Sequence, residues 1–222
     1  VTGGAGFIGG HLAESFVNEG HNVVVLDNLD SFYDVGIKKH NIEIAQKRAE
    51  NGDGDYEFVE GNVTDEDTVS DLVSNTDFIF HQAAQAGVRA SVENPWKAHD
   101  VNVNGTITVL NAARKSNVKR FVNASSSSVY GKPEYLPYDE KHPNEPVSPY
   151  GVSKLAAEHY TRVYYERYGL STVSLRYFTV YGPRMRPTMA FTNFARRCLR
   201  KKAPVIYGAG YYTRAFTYVK DD

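Results

Sequence analysis

Cysteine is nearly missing: Cys198 is the only one in 222 residues, so no intrachain disulfide forms and no cysteine metal cluster can be built. A reducing, cytoplasmic setting is expected. Long apolar runs are also missing. The longest purely aliphatic stretch is VVVL at 23–26, far below the roughly 20 residues that cross a bilayer, and the first residues lack the basic and apolar regions of a secretory signal. No membrane partner is expected. Neither sign of charge is in excess: 25 Lys and Arg stand against 26 Asp and Glu, a formal net charge of -1, so no broad basic field favours nucleic acid. What is present, 41% hydrophobic and 13% aromatic residues, can bury one large core or one and a half. The chain opens at Val1 and stops at YVKDD, which reads as a first strand and a C-terminal region both cut short.

Short β-branched runs at 22–26, 56–59, 78–80, 120–123 and 172–176 alternate with helical patterns at 11–19, 65–73, 103–115 and 150–168. Repeated βαβ units make a parallel, doubly wound α/β sheet. The polar stretch 37–53 reads as a surface helix and loop, and the proline-bearing 132–149 as a loop over the sheet's C-terminal edge. Past Pro183 the alternation weakens. The expected division is a dinucleotide-binding domain over 1–182 and the start of a substrate-binding region over 183–222.

The opening VTGGAGFIGGHL spaces Gly3, Gly6 and Gly9 by three residues between a strand end and a helix. Such a turn lets a pyrophosphate approach the backbone and the helix's first free N–H groups. An ordinary flexible loop is the alternative, and the strand–turn–helix context disfavours it. Asp27 ends the next strand, 18 residues after Gly9. A carboxylate there accepts hydrogen bonds from the adenosine ribose and repels a 2′-phosphate, and no arginine follows in DNLDSF, so NAD is expected rather than NADP.

Tyr150 and Lys154, in YGVSK, lie four residues apart and share one helix face. An ammonium beside a phenol lowers its pKa and suits it to proton transfer. Among 16 tyrosines such a pair carries no signal alone; its weight comes from position. It follows the strand at 120–123, which runs into ASSSSVYG and so brings the hydroxyls of Ser125 to Ser128 to the edge where open α/β sheets bind ligands.

Together TGGAGFIG, HQAA, NVNGT, SSSSVYG, YGVSK and RYFTVYGPR resemble the extended short-chain dehydrogenase/reductase family, in its nucleotide-sugar epimerase and dehydratase branch. The resemblance runs in order through essentially the whole chain. It implies a tightly held NAD, with Tyr150 taking a sugar hydroxyl proton, Lys154 also binding the nicotinamide ribose, and Ser126 hydrogen-bonding the hydroxyl. It places Phe7, Ile8 and Asn28 with the glycines and Asp27 at the cofactor, Asn62 and Val63 by the adenine, and His81, Gln82, Ala83, Ala84 and Gln85 over the pyrophosphate and ribose. Asn102 supports the cofactor loop, Ser125 lies by the nicotinamide, and Tyr177 completes that set. For the substrate, a UDP-sugar, it points to Ser126, Ser127, Thr179, Arg186, Val205, Tyr207 and Arg214. A homodimer is also implied.

Within that branch, dehydratases and decarboxylases place an acidic residue after the catalytic hydroxyl, where this chain has Ser127 and Ser128. Without the acid, a ketone intermediate can only be reduced again, which favours inversion at C4. The motifs sit nearest UDP-glucose and UDP-glucuronate 4-epimerases. Thr179 after RYF, followed by Arg184 and Arg186, tilts the expectation toward the uronate. Gly10, Asn62, Ala215 and Lys220 depart from the residues usual at those positions. A non-catalytic NAD-binding protein and a net oxidoreductase are the readings from other classes; the former needs none of Ser126, Tyr150 and Lys154, and the latter releases NADH.

Overall fold

The computed structural model describes the chain apart from Asp53, Tyr207, Tyr212 and Asp222. Its main sheet contains β1 (Val23–Asp27), β2 (Tyr56–Glu60), β3 (Phe78–His81), β4 (Arg120–Ala124) and β5 (Thr172–Leu175). β1 pairs parallel with β2, and β4 pairs parallel with both β3 and β5. Thr2 joins the two groups, bridging Leu26 on one side and His81 on the other. The spatial order is therefore β2, β1, Thr2, β3, β4, β5, with the winding direction reversing at Thr2. This is the doubly wound, Rossmann-type order, and ligands bind outside the strand C-termini at such a switch point.

Alternation along the strands sends side chains to two separate cores. Val23 and Val25 join Ala13 and Val17 of α1 (Phe7–Asn18), with Ala49 of α2 (Val35–Glu50) against them. Leu26, Ile79 and Phe121 face the other way. They meet Val69 of α3 (Glu66–Val73), Val109 and Leu110 of α6 (Gly105–Lys115) and Tyr164 of α7 (Pro149–Tyr168). Between α3 and α6 lie two short helices, α4 (Val88–Glu93) and α5 (Pro95–His99), that sequence periodicity missed. So were α8 (Ala190–Leu199) and the parallel pair β6 (Thr179–Tyr181) and β7 (Phe216–Tyr218).

The five expected strands are all present, shifted by a residue at most at either end. Helix starts moved more. α1 begins at Phe7 rather than 11, because Gly9 and Gly10 are helical, and α6 begins at Gly105, after a wide helical turn over Asp100–Asn104. The larger correction concerns 37–53, expected at the surface. α2 buries Lys38, Asn41, Ile42 and Ala45 on one face, and that face holds the glycine turn: Asn41 Nδ2 donates to the carbonyls of Ala5 at 2.9 Å and Gly6 at 3.1 Å.

Candidate functional site

A cleft of about 280 Å³ runs along the C-terminal edge of the sheet. At one end is the glycine turn. Gly3 has φ +66°, and a Cβ there would stand 2.6 Å from Ala83 N; a Cβ on Gly9 would collide with the Gly3 carbonyl. These two glycines are thus required by backbone packing, while Gly6 stands at the cleft mouth as N-cap of α1 with no side-chain cap. The first-turn N–H groups of α1 are left to an anion.

Asp27 is 7% exposed. Its carboxylate accepts from Ala5 N at 3.2 Å and Leu29 N at 2.9 Å, which fixes it at the end of β1 facing the cleft. Asn28, Asn62, Val63, Gln82, Ala83, Ala84, Gln85 and Tyr177 line the same cleft, with Gln82 Nε2 donating to the Tyr177 hydroxyl at 3.3 Å. Asn102 works one layer beneath: its Oδ1 accepts from Gln85 N at 2.8 Å and its Nδ2 donates to Ser153 Oγ at 2.9 Å. Glycines whose Cβ would collide, a buried carboxylate and an open helix N-terminus are the donor set a dinucleotide pyrophosphate and ribose need, so the residues fit NAD.

His81 turns away from the cleft into the core. Thr106 Oγ1 donates its proton to Asn102 O at 2.6 Å. Toward His81 Nε2, 3.0 Å away, it can therefore only accept. Nε2 thus carries the ring proton, and Nδ1 accepts from Thr2 Oγ1 at 2.8 Å. Burial, helped by the Lys154 charge, pushes its pKa down to about 3. The unfolded chain takes up this proton near pH 6.5, the native one only near 3, so stability is full above 6.5 and is lost as pH falls toward 3. Chemical denaturation at pH 7.5 and 5.0 is expected to show this decline, and His81→Asn to flatten it; an unchanged slope would mean other groups carry it.

At the far end, β4 delivers Ser125 and Ser126, and α7 delivers Tyr150 and Lys154. Ser148 caps α7 by accepting from Gly151 N at 3.1 Å, Pro149 opens the first turn, and Tyr150 N donates to Ser91 Oγ at 3.0 Å. Placing Tyr150 and Lys154 one turn apart brings both into the cleft with Ser126. Lys154 is 4% exposed and donates to Ala124 O at 2.8 Å; burial lowers its pKa to about 8. Burial raises that of the Tyr150 phenol, while a hydrogen bond to Ser126 and the positive charge of Arg186 pull it back. The charge that pulls the phenol's pKa back is thus that of Arg186, a pairing that no sequence spacing shows.

Arg186 enters from the segment after β6. Its guanidinium stands 5.6 Å from the Phe32 ring, NH2 donates to Met189 Sδ at 3.3 Å, and NH1 is buried with no hydrogen-bond partner. Arg184 is turned elsewhere, to Glu14 Oε2 at 2.7 Å. Ser125 lines the cleft, but its hydroxyl donates to Glu158, which Arg176 also holds. Of the other substrate residues expected, Ser127 N donates to Tyr177 O at 2.8 Å and Thr179 N to Ala215 O at 3.3 Å, both just outside the lining. Val205 and Arg214 are exposed and stand apart from the cleft, and Tyr207 lies outside the described residues. Lys38, Asn41, Tyr33 and Phe32 were missed; the face shared by Lys38, Asn41, Ile42 and Ala45 was the available signal.

The profile of the NAD dependent epimerase/dehydratase family matches residues 1–221. The chain belongs to that family. It is 40% identical over 226 residues to a putative UDP-glucose 4-epimerase of Methanocaldococcus jannaschii, covering 100% of this chain and 69% of that one. Its fold is similar to the crystal structure of a UDP-glucuronic acid 4-epimerase from Bacillus cereus with UDP-glucuronic acid and NAD, at TM-score 0.90 and 35% identity, covering 99% of this chain and 68% of that one. A UDP-glucose 4-epimerase from Thermotoga maritima with UDP-glucose matches at TM-score 0.87 and 34% identity, over 99% and 68% respectively. Among the described residues, no helix is long and apolar enough to cross a membrane, and no group of three His, Cys, Asp or Glu could hold a metal.

Proposed function

We propose that this family member is an NAD-dependent UDP-sugar 4-epimerase, with UDP-glucuronate favoured over UDP-glucose. The observation that carries the reading is the convergence of Ser126, Tyr150 and Lys154 in one cleft with the glycine turn and Asp27. NAD, when bound, supplies the acceptor for the C4 hydride and returns the same hydride. Tyr150 takes the C4 hydroxyl proton as the ketone forms, Ser126 holds that oxygen, and Tyr150 gives the proton back after the sugar has presented its other face. Lys154, buried and cationic, stabilises the phenolate that is present before the proton is taken and again once it has been returned. Ser127 and Ser128 supply no acid for elimination, so the ketone's exit is re-reduction.

The relatives solved with UDP-glucuronic acid and with UDP-glucose support the substrate class. Incubating the protein with UDP-glucuronate, UDP-glucose and UDP-N-acetylglucosamine in deuterated water, followed by NMR, is expected to give the C4 epimer without deuterium at C4. Denatured protein is expected to release NAD. Deuterium at C4, or no epimer from any of the three, would overturn the mechanism.

The finer assignments are also proposed here: NAD binding over 1–182, the beginning of a substrate-binding region over 183–222, and a homodimer. α5, α7 and the nearby α4 expose Trp96 (82%), Val92 (63%) and Val152 (54%), an apolar surface suited to a second copy. Sedimentation equilibrium is expected to give twice the chain mass, and a single-chain mass at micromolar concentration would exclude the dimer.

A further inference from the structure

Lys38 is a buried cation inside the cofactor cleft. Its side chain and that of Asp27 are 8% and 6% exposed, with Nζ 3.5 Å from Asp27 Oδ1. That contact is long and engages one of three ammonium protons; the Tyr33 ring stands 5.3 Å from the charge, and the Asp30 carboxylate also interacts with it electrostatically. Both side chains line the cleft. The other charged groups at this end are Asp30, which is taken by Lys97 at 2.7 Å, and Arg186, which stands over Phe32.

We propose that Lys38 is a specificity-determining residue for the dinucleotide: Asp27 masks it, and removing the Asp27 charge turns it into a site for a ribose 2′-phosphate. The inference rests on the reading of Asp27 as the ribose-binding carboxylate. DNLDSF lacks arginine, yet the cleft does not lack a cation. Beside an ionised Asp27, the ammonium is compensated, and an incoming phosphate meets the carboxylate's negative charge. With Asp27 neutral, the buried ammonium loses its ion-pair partner and keeps only the more distant Asp30, itself held by Lys97, which approaches the costly condition of an ion pair broken on one side. A 2′-phosphate restores the balance through charge-assisted hydrogen bonds. Discrimination against NADP is then a property of the pair, and the two residues act in opposite directions.

Protein stripped of nucleotide and titrated calorimetrically with NAD, NADP, AMP and adenosine 2′,5′-bisphosphate tests this. Wild type is expected to prefer NAD. Asp27→Asn is expected to shift the NADP-to-NAD affinity ratio toward NADP by about tenfold or more, the scale of one charged hydrogen bond, with a parallel gain for the bisphosphate over AMP. Adding Lys38→Met to Asp27→Asn is expected to abolish the gain. Lys38→Met alone moves the ratio further toward NAD, which keeps the test intact if Asp27→Asn folds poorly. No shift in Asp27→Asn, a gain that survives in the double variant, or an unmoved ratio in Lys38→Met overturns the inference. Wild type that binds neither dinucleotide overturns the cofactor reading instead, and this inference falls with it.

Discussion

Tyr150→Phe is expected to lower turnover by about 10²-fold or more, the usual loss when a positioned acid–base group is removed, while NAD content and thermal midpoint stay near those of wild type. The phenol hydroxyl is the atom at stake. Its ring is anchored through Tyr150 N to Ser91 and through the Ser148 cap of α7, and phenylalanine preserves both. Burial raises the phenol's pKa and Ser126 and Arg186 draw it back, so the hydroxyl depends on those neighbours to reach the phenolate that accepts the sugar proton. Ser126→Ala should therefore also slow the reaction, by less, because the hydroxyl assists a transfer that Tyr150 performs. Turnover of Tyr150→Phe within tenfold of wild type would assign the proton to another residue.

The parallel sheet could be read from the chain because each strand is a short run rich in β-branched or aromatic residues between helices, a pattern that burial on both faces demands most of β1 and β4. The meeting of Ser126, Tyr150 and Lys154 in one cleft was legible for a related reason: Ser126 follows β4, and Tyr150 and Lys154 fall one turn apart on α7. α2 was misread because its inward face is partly polar. Lys38 and Asn41 are buried in order to neutralise Asp27 and to hold the glycine turn, and a scale that equates polarity with exposure places such a helix outside. Hydroxyl commitments were invisible as well. Nothing in SSSS tells that Ser125 is tied to Glu158 while Ser126 is directed to Tyr150, since those partners lie 33 and 24 residues away along the chain.

Arg186→Leu is expected to damage activity on UDP-glucuronate far more than on UDP-glucose. NH1 of Arg186 is buried without a hydrogen-bond acceptor, and burial lowers the guanidinium pKa, so the site bears an unsatisfied donor that an anionic ligand would relieve. A sugar carboxylate is planar and accepts two N–H bonds side by side, which is the geometry a guanidinium provides. A neutral hydroxymethyl group at the same place offers one weaker acceptor. Losing a charged hydrogen bond costs about 1.5 to 3 kcal/mol, so kcat/KM for the uronate should fall by roughly 10- to 150-fold and that for the neutral sugar by much less. Arg184 serves as the internal control: it is already paired with Glu14 at 2.7 Å, and Arg184→Leu is expected to lower both activities together if it acts only by holding the segment after β6. Equal losses on the two sugars in Arg186→Leu would instead assign its guanidinium to a phosphate common to both substrates, and UDP-glucose would become the favoured one.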